Sequence, residues 1–93
     1  MAITKFNVVT VDSGDTKNVD FGTSVINASV AVQGFNVSFG NTDHHVKTID
    51  VKASMAGISG SNVSVSATCT MEDHSNHKAM GKVEVLVIAE TES

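Results

Sequence analysis

Val83-Glu84-Val85-Leu86-Val87-Ile88-Ala89 is the longest near-continuous apolar run in the chain, and it contains neither glycine nor proline. Seven residues are too few for a buried helix and the usual length of a strand, and the β-branched content agrees with a strand. Alternation sends Leu86 and Ile88 to one face and Val83, Val85, Val87 and Ala89 to the other. A strand that is apolar on both faces has to be covered on both. In so small a chain a second sheet covers one side, and a neighbouring subunit is the natural cover for the other.

Working outward, the segment from Val63 to Met71 has the most regular alternation. Val63, Val65, Ala67, Cys69 and Met71 share one parity, and Ser64, Ser66, Thr68 and Thr70 the other. A further strand runs from about His45 to Ser54, with Ile49, Val51 and Ala53 on one face, and Gly57 to Ser61 reads as a turn. Earlier, Ile3 to Val11 is a strand with Phe6 and Val8 on one side. Asp12-Ser13-Gly14-Asp15 is turn chemistry, and Lys17 to Phe21 is a short strand. From Val25 to Phe39 the apolar parity switches at Gly34, as at a bulge or bend. Six strands, short polar connections and no helical period predict an all-β fold, a six-stranded antiparallel β-sandwich formed by residues 1–93 as one domain.

Composition narrows the function classes. The chain has 93 residues, no Trp, Tyr or Pro, and only four Phe, so its core has to come from Val, Ile, Ala, Met and those Phe residues. A monomer so poor in aromatic area is marginal, which predicts a homo-oligomer. The net charge is −4 and all six basic residues are Lys, so no basic stripe exists for nucleic acid. No apolar stretch approaches a membrane span, and the N-terminus lacks the basic and apolar regions of a signal peptide. Cys69, the single cysteine, sits in an alternating strand and reads as a buried free thiol.

All four histidines fall in two connections. Asn41-Thr42-Asp43-His44-His45 precedes the fourth strand, and Glu72-Asp73-His74-Ser75-Asn76-His77 follows the fifth. If the last four strands alternate in direction, both connections lie at one end. Imidazole and carboxylate suit zinc, nickel or copper, so His44, His74 and His77 are the candidate metal ligands, with Asp43 beside them. The alternative is that they are solvated loop residues and that Asp43 and Asp73 form turns. No cofactor is otherwise indicated. No nucleophile elbow, phosphate loop or carboxylate pair accompanies these residues, and the chain reads as a non-enzyme.

Taken in order, Val19-Asp20-Phe21, the strand ending Val30-Ala31-Val32-Gln33-Gly34-Phe35, Thr70-Met71-Glu72-Asp73 and Val85-Leu86-Val87-Ile88-Ala89 resemble the H-type lectin family. The third of these stands where that family has T-W-x-D, with Met71 in place of the tryptophan. The resemblance implies a six-stranded sandwich assembled as a trimer, often paired into a hexamer, with glycans bound between subunits near that loop. Carried over by position, it puts Met71, Asp73 and His74 near the ligand, and Asp43 is the polar group expected from the other connection. Two functions stand side by side. One is a carbohydrate-binding oligomer using the loops 40–45 and 72–81. The other is a structural or assembly protein, of the kind found in phage tails and virions, with no small-molecule ligand.

Overall fold

The computed structural model describes residues 2–38 and the backbone of 46–93, with side chains from 48 onward in the second segment. Seven strands follow one another: β1 (Ile3–Asp12), β2 (Thr16–Asp20), β3 (Val25–Asn36), β4 (Val46–Ser59), β5 (Asn62–Asp73), β6 (Lys78–Met80) and β7 (Lys82–Thr91). They make two antiparallel sheets in a sandwich-like arrangement. One sheet has the order β1-β7-β3. In the other, β4 pairs with the whole of β5, while β2 and β6 pair with its two ends. Since β4 occupies one edge of β5 throughout, β2 and β6 share the opposite edge.

The seventh strand is a correction to the six expected. Residues 72–81 read as a polar loop, but Lys78–Met80 turns back and pairs with Thr70–Glu72. The turn shrinks to the residues between Asp73 and Lys78. A second correction concerns Gly57 to Ser61. There β4 runs on to Ser59 past a register shift between Met55 and Gly57, and only Gly60 and Ser61 link it to β5. A glycine inside a strand marked a bulge, not a turn. The parity switch near Gly34 is a register shift between Val32 and Gly34, as the sequence suggests.

The core is built by alternate residues of the two central strands. Val63, Val65, Ala67, Cys69 and Met71 of β5 face Val83, Val85, Val87 and Ala89 of β7, and Val11 and Val19 join them from β1 and β2. Burial of a valine contributes on the order of 1.5–3 kcal/mol. Among the described residues the phenylalanines do not supply the core as composition implied. Phe6 is 66% exposed and Phe35 is 52% exposed, while Phe21 only packs against the margin. A core of small side chains fills little volume, and the molecule is correspondingly drawn out. Its radius of gyration is 15.8 Å and its extents are 54 × 17 × 17 Å. A compact chain of this length would have a radius of gyration of about 12 Å.

The two sheets are joined at one end by the β1–β2 turn. There the Ser13 amide donates to the Gly81 carbonyl, the Gly14 amide to the Ala67 carbonyl, and the Cys69 amide to the Ser13 hydroxyl. Gly14 takes a φ of +81° to make this turn. Gly81 carries the chain from one sheet to the other, and its amide donates to the Cys69 carbonyl. A Cβ at Gly81 would collide with the Asn36 carbonyl oxygen and the Val37 side chain.

Two substitutions test this packing. Gly81→Ala is expected to lower the urea midpoint sharply, because the obstruction is partly backbone and cannot swing away. Val65→Ala is expected to cost about 2 kcal/mol with an unchanged denaturant slope, as loss of buried area plus a residual cavity.

Candidate functional site

Of the residues predicted from sequence, those described lie at the end of β5 and in the turn that follows it. Odd positions of β5 face inward, so Met71 lies between the sheets and Asp73, the last of that series, is 3% exposed. Neither presents a side chain to a ligand arriving from solvent. His74 and His77 lie beyond the strand end and are exposed. Asp43, His44 and His45 fall outside the described residues. The first residue of β4, Val46, pairs with Asp73, so the chain enters β4 at the end of the sheet that carries the β5–β6 turn.

Asp73 organises that turn. Its Oδ1 accepts from the Ser75 amide at 2.9 Å and the His77 amide at 2.8 Å, and its Oδ2 lies 3.0 Å from His77 Nδ1. Backbone bonds from the Asp73 amide to the His77 carbonyl and from the Asn76 amide to the Asp73 carbonyl complete the loop, and Asn76 takes a φ of +64°. Asparagine tolerates that conformation better than most side chains. A buried carboxylate is costly unless hydrogen-bonded, and here its oxygens are used in shaping the hairpin. In a neutral imidazole the same contact selects the Nδ1–H tautomer of His77. Among the described residues no group of three or more His, Cys, Asp and Glu is placed to hold a metal ion.

Two further titratable groups, Asp20 and Cys69, lie apart from this turn. Asp20 is exposed at the end of β2, and hydrogen bonds from the Gly22 amide (2.8 Å) and then the Ser61 hydroxyl hold its carboxyl below the usual carboxylate value. Cys69 is fully buried, and desolvation pushes its thiol up, so it stays protonated and unreactive near neutrality. Asp12 belongs to a different arrangement. It pairs across the sheet with Lys82, which pairs in turn with Asn36, giving one polar row over three strands. With Ser38, Val37 and Met80 this row lines an open cleft of about 660 Å³. Nothing in the local sequence marks the cleft, because only the register of three distant strands assembles it.

The two outer faces differ in chemistry. On the four-stranded sheet, β5 presents Ser64, Ser66, Thr68 and Thr70, knitted to β2 by Thr16 to Ser66 (3.0 Å) and Ser64 to Asn18 (2.6 Å). On the three-stranded sheet, the register sets Phe6 beside Ile88 and Val8 beside Leu86, with Ala31 on the far side of Leu86. Polar rows bound this apolar centre: Thr4, Glu90 and Asn27 at one end, Thr10 and Glu84 at the other.

Asp73→Ala is expected to destabilise the protein by about 1–3 kcal/mol, and to speed amide exchange at Ser75 and His77 well beyond that at the β7 core. The Asp20 carboxyl, with its lowered value, stabilises the fold above its unfolded value of 3.8, and that contribution is lost as pH falls through the folded value. Asp20→Asn is therefore expected to flatten the acid limb of the stability curve, followed by urea midpoints between pH 6 and pH 2.

Comparison with protein-family models, with curated proteins and with solved structures gave no match for this chain, so the functional reading rests on its own surfaces and groups.

Proposed function

We propose that this chain is a non-enzymatic structural module that associates with copies of itself through the outer face of the β1-β7-β3 sheet. The observation that carries this is the inversion of the aromatic residues: Phe6 stands 66% exposed on that face while the core is made of Val, Ala, Cys and Met. Aromatic side chains bury the largest areas, and a small chain with a marginal core gains most from covering them. The face has the anatomy of an interface, with Phe6, Val8, Leu86, Ile88 and Ala31 at the centre and polar rows around them. The face is 10 to 12 residues long and three strands wide. In projection that is about 500 Å², the low end of the range for specific interfaces. The opposite sheet, with its hydroxyl-rich exterior, is a soluble outside.

A second copy is the occupant favoured by the exposed Phe6 at the centre of the face and by the lack of any strongly basic or acidic field there. The homo-oligomer expected from composition, and the trimer or hexamer that the lectin resemblance implies, belong to this proposal. Light scattering on a sizing column tests it. Wild-type protein is expected at a multiple of 9.7 kDa, and Phe6→Glu at a smaller mass with an unchanged far-ultraviolet spectrum. A wild-type monomer at high micromolar concentration overturns the reading.

Carbohydrate binding is a second reading, favoured by the Asp12–Lys82–Asn36 row and the exposed Met80 beside it. Carboxylate, ammonium and amide groups next to an apolar side chain match the alternating polar and apolar faces of a sugar. Glycan-array binding lost in Asp12→Ala would support it, and an array without signal would remove it.

A further inference from the structure

We infer that the open seam between β3 and β4 is a second association surface, closed by another copy of this chain. This rests on the assembly reading above and adds that copies associate beyond a pair. β3 and β4 are outer strands of different sheets that lie against each other along one side of the sandwich. Their registers put Val32 and Phe35 in line with Val85 and Val83, and Ile49, Met55 and Ile58 in line with Met71, Val65 and Val63. These five side chains therefore point to the same interior as fully or nearly fully buried residues, yet they are 37–52% exposed. On the same two strands Ala28, Val30, Val51 and Ala53 are half-buried against the core, so the exposure is concentrated at these five side chains. On the other side of the sandwich Val11 and Val19 complete the cover, so the opening is confined to the seam.

Area and chemistry point to a copy of the same chain. The five side chains expose on the order of 400 Å² of apolar surface, within the range of about 300–600 Å² for the largest patch of a monomer, patches that are often functional. Two such seams facing each other would bury about 800 Å² of apolar area. That is about half of the ~1,600 Å² of a standard interface, the usual apolar share. None of the five is charged, and Lys52 pairs with Asp50 at 3.3 Å, so among the described residues the seam offers no charge pattern for a polyanion or a cationic partner. The bounding edges match in length, 12 residues in β3 and 14 in β4. A two-fold axis through the seam then sets edge strand against edge strand in both sheets, which satisfies their outward N–H and C=O groups.

The test is the solution mass of the full chain as wild type, Met55→Lys, Phe6→Glu and the double variant, each checked for strand content by circular dichroism. Wild type is expected above a dimer, each single variant at roughly half its mass or less, and the double variant as a monomer. A Met55→Lys protein with wild-type mass overturns the seam while leaving the outer-face reading intact. A wild-type monomer overturns both. Should Met55→Lys fail to fold, amide exchange of wild-type protein decides instead. Protection along the β3 and β4 edges that rises at least tenfold with concentration is expected, and concentration-independent exchange there overturns the inference.

Discussion

The contact on which the rest depends is the facing of two valine-rich series of small side chains, Val63, Val65, Ala67 and Cys69 of β5 and Val83, Val85 and Val87 of β7, each on the central strand of its own sheet. All other strands reach the core through them. β1 and β3 are fixed by pairing with β7, and β2, β4 and β6 by pairing with β5. Valine suits this role because its branched Cβ is stiff in a strand and packs well on a pleated surface. It is also small. A layer of valines seals a narrow strip between two central strands but does not extend to fill the space under the outer ones. The exposed seam and the elongated outline are consequences of that one choice of side chain.

Polar groups complete the frame at the ends. The β1–β2 turn and Gly81 tie the sheets together through backbone bonds at Ser13, Gly14, Ala67 and Cys69. Asp73 shapes the β5–β6 turn by accepting from two amides and an imidazole. At the far end, the buried Thr91 hydroxyl donates to main-chain carbonyls. Among the described residues no buried side-chain nitrogen or oxygen lacks a partner. The interior is therefore small but internally consistent, and the unresolved demand for burial lies wholly on the outside, in Phe6, Phe35, Ile49 and their neighbours.

How much of this was legible in the sequence follows from what periodicity can carry. Alternation from Val63 to Met71, the run from Val83 to Ala89 and the parity switch at Gly34 each appear as read, because a period of two is written in the residues themselves. Three-residue β6 has too few positions to show a period, and Gly57 has the same letters whether it makes a turn or a bulge. The larger miss was Phe6. β1 is apolar on both parities, Phe6 and Val8 against Val9 and Val11, and only pairing with Val83 and Val85 decides which pair is inside. Asp73 was read both as a ligand contact and as a turn former; its hydrogen bonds are those of a turn former, and its shared parity with Met71 and Cys69 already marks it as inward-facing. The cleft at Asp12, Asn36 and Lys82 depends on register between strands remote in sequence, and single-strand patterns do not contain it.

The position of β7 also governs the order in which the fold can form. It is the seventh strand made and the middle strand of its sheet, so β1 and β3 have no partner in that sheet until it emerges from the ribosome. The four-stranded sheet can pair earlier, since β2, β4 and β5 are all complete before β7. During synthesis the nascent chain therefore carries two long unpaired strands with Phe6 and Phe35 uncovered, for some seconds at ordinary elongation rates. Copies growing side by side on one message would hold matching edges within reach of each other before either had closed its own sheet.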